Sequence, residues 1–103
     1  MNSMNYEPKV LVDNKTDDAM RRMSFQPCEL VCCSRIDIVT LGETILQVFF
    51  CGGCNGNTQA VAALVSGMKV RDAIAKLDGI NCNGKGTSCP DQLARALKQM
   101  LPE

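Results

Sequence analysis

The stretch Arg35-Ile36-Asp37-Ile38-Val39-Thr40-Leu41-Gly42-Glu43-Thr44-Ile45-Leu46-Gln47-Val48-Phe49-Phe50 decides the fold. Its first half is rich in β-branched residues, and Leu41-Gly42-Glu43 reads as a turn. The second half resumes with Ile45, Val48 and Phe49. Two such runs around a Gly-containing turn predict an antiparallel hairpin. The second run leads straight into Cys51-Gly52-Gly53-Cys54.

Downstream of the hairpin the pattern becomes helical. Asn57 or Thr58 can cap a helix over 58–66, with Val61, Leu64, Val65 and Met68 at the spacing of one helical face and Gly67 as its stop. A short helix over 70–77 follows, with Val70, Ile74 and Leu77 on one side and Gly79 as its C-terminal signal. A third helix spans 90–101, burying Leu93, Leu97 and Met100. Ser88 or Cys89 is its N-cap, Pro90 suits its first turn, and Asp91 suits the positive end of the helix dipole.

Upstream, residues 1–24 are polar apart from Val10-Leu11-Val12 and predict a mobile tail or an added edge element. Gln26-Pro27 marks a break. The expected organisation is therefore an N-terminal extension over 1–24 and a domain over 25–103. The fold class is α+β: a small antiparallel sheet packed on about three helices.

At 103 residues the chain makes one domain with a small core. Its formal net charge is zero, and Tyr6, Phe25, Phe49 and Phe50 are its aromatics. Nucleic-acid binding is not expected, because it needs a basic surface and stacking platforms. The longest apolar run, Leu46–Cys51 with one Gln, is far too short to span a bilayer.

Seven cysteines fit either a disulfide scaffold or a reduced metal or redox protein. The N-terminal stretch is charged and lacks an apolar signal-peptide region. The expectation is therefore a cytoplasmic chain with reduced thiols. The absence of histidine excludes Ser-His-Asp and Cys-His catalysis and Cys2His2 fingers.

The thiols then carry the functional reading. Cys54 follows two glycines. Cys82 and Cys89 bracket the loop Asn83-Gly84-Lys85-Gly86-Thr87-Ser88. Cys54 and Cys89 lie near expected helix starts, where partial positive charge favours the thiolate that a metal needs. Candidate metal ligands are Cys33 (or its neighbour Cys32), Cys54, Cys82 and Cys89, a set that suits zinc or an iron–sulfur cluster. Cys28 and one of the Cys32/Cys33 pair read equally well as small buried hydrophobes.

Cys51-Gly52-Gly53-Cys54 is formally a C-x-x-C, open to a redox pair or to two ligands of one metal. The preferred reading of Cys51 itself is a strand end facing the core beside Phe49. Residues 79–85 match most of a phosphate loop, but Gly86 replaces the Ser or Thr that would hold magnesium, and a helix rather than a strand precedes them. Asp91 is open to three readings: base, fourth ligand or helix-start charge.

Gly52-Gly53-Cys54-Asn55-Gly56-Asn57, Gly67-Met68, Leu77-Asp78-Gly79-Ile80-Asn81-Cys82 and above all Thr87-Ser88-Cys89-Pro90-Asp91-Gln92-Leu93-Ala94 resemble the TSCPD family over about Ser24–Leu101. These are small bacterial four-cysteine proteins, with a similar domain at the C-terminus of cobalamin-dependent ribonucleotide reductases. In that family the first cysteine usually follows Val and precedes Ser, so within Val31-Cys32-Cys33-Ser34 the better match is Cys33. Cys28 and Cys51 are extra to the family pattern. The order of elements is also similar to NifU/IscU-type iron–sulfur scaffolds, whose ligands cluster at one end of a small sheet.

The resemblance implies an accessory metal-binding module, with zinc at Cys33, Cys54, Cys82 and Cys89 and with ribonucleotide reductase or a redox protein as partner. The chain is too short for the reductase's catalytic barrel, so it is not expected to catalyse that reaction alone. The alternatives are an iron–sulfur scaffold or carrier, and a dithiol electron donor using Cys51/Cys54 or Cys82/Cys89.

Overall fold

The computed structural model describes residues 7–15, 19–28, 33–52, 55–80 and 87–101, with side chains from 58 onward in the fourth run. Four strands come first: β1 Lys9–Lys15, β2 Met20–Gln26, β3 Cys33–Leu41 and β4 Thr44–Gly52. Three helices follow: α1 Asn55–Val65, α2 Val70–Leu77 and α3 Cys89–Met100. The strands form one antiparallel sheet in the order β1-β2-β3-β4. The class is α+β, as the sequence suggests.

The β3–β4 hairpin forms where expected. Leu41 pairs with Thr44 across Gly42-Glu43. Gly42 has φ 59°, and a glycine in first place lets a two-residue turn follow the strand twist. β2 is the least legible strand. It holds Arg21 and Arg22 yet sits inside the sheet, where Met23 and Phe25 are buried. They share a face with Ile36 and Ile38 of β3 through the pairs Met23–Ile38 and Phe25–Ile36.

All three helices cover that one face. The core joins Met23, Phe25, Ile36, Ile38, Ile45, Val48 and Phe50 of the sheet to Val61, Val65, Val70, Ala73, Leu93 and Leu97 of the helices. Each large side chain here adds about 1.5–3 kcal/mol by leaving water. The opposite sheet face, with Arg22, Ser24, Arg35, Asp37, Gln47 and Phe49, carries no further layer among the described residues. There Ser24 donates to Asp37 at 2.5 Å, and Arg35 bonds Asp37 at 2.8 Å. Burial pushes the Asp37 carboxyl up, but these bonds and the nearby Arg22 and Arg35 charges hold it below its usual value.

A bulge in β4 corrects two sequence expectations. Val39 pairs with Gln47 and Thr40 with Ile45, so Leu46 is an extra residue. The alternation shifts by one after it, and a one-residue shift turns every following side chain to the other face. Val48 and Phe50 therefore point into the core, whereas Phe49 (57% exposed) and Cys51 face outward. Cys51 stands one residue before the end of the strand and does not face the core. On α1, Val61 and Val65 are buried as expected, but Leu64 is 74% exposed.

The chain runs between two ends of the molecule. Cys33 pairs with Gly52, so β3 begins and β4 finishes at one end. From there α1 leads to the hairpin end, where the Gly67 amide donates to the Ile45 carbonyl and the Val70 amide to the Glu43 carbonyl. Helix α2 returns, and the Gly79 amide donates to Asp91 in the first turn of α3. Helix α3 runs out again, its Met100 carbonyl accepting from Arg21.

Candidate functional site at the start of α3

The segment Thr87–Arg95 builds the most heavily bonded polar cluster among the described side chains. Ser88 is the N-cap of α3, its hydroxyl accepting from the Asp91 amide at 3.1 Å. The same hydroxyl donates to the Ile80 carbonyl at 2.7 Å. Pro90 lies in the first turn, where no amide donor is needed. Of the two N-cap readings of the sequence, Ser88 is the one taken, and the helix starts at Cys89, one residue earlier than expected.

Asp91 is 1% exposed, and its carboxylate is fully occupied. One oxygen accepts from the Gly79 amide at 2.7 Å. The other accepts from Thr87 at 2.6 Å and from Arg95 at 2.9 Å. Burial pushes this carboxyl upward, but the bonds from Thr87, Arg95 and Gly79 outweigh it and hold the acid below its usual value. Asp91 in turn raises the Arg95 guanidinium, which also meets Glu7 at 2.6 Å. This arrangement leaves Asp91 no role as a base. It is the structural clasp between the end of α2 and the start of α3.

Gln92 is fully buried and extends the clasp to the sheet. Its amide nitrogen donates to Thr87 at 3.1 Å, and its carbonyl accepts from the Cys28 amide at 3.0 Å. Cys28 stands in the connection from β2 towards Cys33. The sequence did not single out Gln92; a polar residue in the first turn of an amphipathic helix gives no sign of burial by itself.

Cys33 and Cys89 are both buried in the hydrophobic core, at 4% and 7% exposure. Cys28 is half-buried and Cys51 exposed. Cys32, Cys54 and Cys82 lie outside the described residues. Their neighbours do not: Gly52 pairs with Cys33, and Ile80 accepts the bond from Ser88, next to Cys89. Among the described residues, no three Cys, Asp or Glu side chains gather as a metal site. A helix precedes Gly79, so the strand that a phosphate loop requires is absent there. No helix among the described residues is long and apolar enough to cross a membrane.

No curated protein and no solved structure matches the chain. The expected likeness to NifU/IscU scaffolds is therefore not confirmed. The TSCPD domain model matches residues 4–101, so it takes in β1 and β2 as well as the four-cysteine region. With nearly its whole length covered, the chain belongs to the TSCPD domain family.

Proposed function

We propose that this protein is an accessory metal-binding module in which Cys33, Cys54, Cys82 and Cys89 hold one ion, zinc in the first instance. The observation that carries this reading is topological. The start of β3, the end of β4, the end of α2 and the start of α3 all lie at one end of the molecule. Cys33 and Cys89 stand at two of these points, Cys54 follows Gly52 by two residues, and Cys82 follows Ile80, in the turn after α2, by two.

Two residues of chain reach about 7 Å. That lets a thiolate following Gly52 approach Cys33 and one following Ile80 approach Cys89. The donor set fits zinc, which takes four thiolates in closed structural sites. Bound there, the metal would supply cross-linking between sheet and helices rather than chemistry on a substrate. It would add stability to a domain with a small core. The ordered clasp of Ser88, Asp91 and Gln92 supports the same reading, since outer hydrogen bonds fix the ligands of a metal site.

The proposed partner is ribonucleoside-diphosphate reductase or a redox protein that serves it, a reading that rests on family membership. Anaerobic purification followed by metal analysis and visible spectroscopy tests the site. One zinc per chain in a colourless protein supports it, and a brown protein assigns the same ligands to an iron–sulfur cluster. Serine at position 33, 54, 82 or 89 should lower metal content, while Cys28→Ser and Cys51→Ser should leave it unchanged. Retention of full metal in all four ligand variants would refute the ligand set. The pair Cys32→Ser and Cys33→Ser decides between those neighbours.

A further inference from the structure

The sheet has two outer strands, and they differ in how they meet solvent. β1 carries Lys9, Asp13 and Lys15 and a bulge between Val10 and Val12. Charges, lysine above all, and bulges are the usual means of keeping an edge from pairing. β4 has no charged residue. The uncharged stretch runs from Thr44 to Met68, between Glu43 and Lys69, and so takes in the whole of α1.

Among the described residues, the outer edge of β4 is covered only at its start. Ile45 exchanges bonds with Met68 and Gly67, and the Leu46 carbonyl accepts from Ser66. From Gln47 to Gly52 no described strand lies against it. A groove of about 420 Å³ opens between this edge and α1, lined by Val48, Phe50, Cys51, Thr58, Gln59 and Ala62. The exposed Phe49 also lines it, and Leu64 stands exposed on α1.

We infer that this face binds a second copy of the same chain, pairing β4 with β4 antiparallel about Phe49 and bringing the two α1 helices to one seam. Three observations select this occupant. First, a two-fold interface sets one surface patch against itself, so a patch of a single charge sign would repel its copy, and Thr44–Met68 carries no charge. Second, the covering segment at Ile45 and Leu46 stops a partner strand from sliding further along, and pairing centred on Phe49 occupies only residues 47–51.

Third, the backbone alternation agrees. Ile45 turns its amide and carbonyl to the open side. Past the bulge, the ladder alternation turns those of Val48 and Phe50 the same way. A strand centred on Phe49 sets Val48 opposite Phe50 of the second copy, where both can exchange amide bonds. The same register keeps inward residues opposite inward ones and stacks Phe49 on its own copy on the outer face.

Light scattering of the full chain after gel filtration, at about 100 µM, reads the assembly where a micromolar Kd is saturated. The expected mass is twice 11.2 kDa. Phe49→Lys and Leu64→Lys change residues already exposed in the single chain, and each should halve that mass. Leu11→Lys on β1 should leave it unchanged.

The register has its own test, because Gln47 falls opposite Cys51 of the second copy. Directly opposed residues at such a position are about 4.5 Å apart at Cα, within disulfide reach. Gln47→Cys with oxidised glutathione should give a covalent dimer on non-reducing gels, and adding Cys51→Ser should abolish it. A mass of 11.2 kDa at that concentration, a dimer indifferent to both lysine variants, or a cross-link that survives Cys51→Ser would each overturn the inference.

Discussion

Helices α1 and α3 cover the same sheet face, but they meet solvent differently. Helix α3 begins with three buried polar residues, Ser88, Asp91 and Gln92, each bonded to a partner in another segment. Farther along it carries Arg95 and Lys98, which pair with Glu7 and Asp78. Helix α1 has no charged side chain and leaves Leu64 in water. The chain's own contacts complete the surroundings of α3. Among the described residues α1 is covered on its sheet side only, which fits a face awaiting a partner.

The largest expected effect lies in the clasp. Asp91→Ala removes the acceptor shared by Gly79, Thr87 and Arg95 at once, the Thr87 hydroxyl among them being fully buried. Urea unfolding should show a loss on the order of 3–5 kcal/mol. Next, Leu97→Ala empties a fully buried site and should cost about 2–5 kcal/mol in the same assay. Ser88→Ala removes the N-cap and the bond to Ile80, for about 1–2 kcal/mol. On α1, Leu64→Lys should shift the stability of the dissociated single chain by less than about 0.5 kcal/mol. A cost for Leu64→Lys approaching that of Asp91→Ala would erase the contrast between the helices.

Acid should also report on the clasp. The Asp91 carboxyl is held below its ordinary value of 3.8, so its contribution is present above that pH. It is lost as pH falls through the lowered folded value, where the unfolded chain binds the proton first. Wild type should therefore lose stability steeply below about pH 4. Asp91→Asn should show a shallower slope over that range, and an unchanged slope would assign the acid sensitivity to Asp13 or Asp37, both also lowered.

The same contrast shows what could be read from residue order. The hairpin was legible because Gly42 sits between two β-rich runs, and the start of α3 because Ser88, Pro90 and Asp91 each have a local reason to be there. The facing of Phe49 and Cys51 was not, since the bulge at Leu46 arises from cross-strand pairing that no local pattern encodes. Strand β2 was hidden by its two arginines, of which Arg21 reaches Asp13 and the end of α3. Burial of Gln92 depends on Cys28, sixty-four residues away in sequence. Leu64 fits the spacing of the helical face on which it was placed, yet it is exposed.

For the candidate site, Cys33 and Cys89 are both buried members of the hydrophobic core, while Cys54 and Cys82 fall outside the described residues. The most direct test of the metal reading is elemental analysis of the protein purified from its own cell, beside a Cys89→Ser variant prepared in the same way. Wild type should carry one metal ion per chain and the variant substantially less. Wild-type protein without stoichiometric metal would contradict the metal reading.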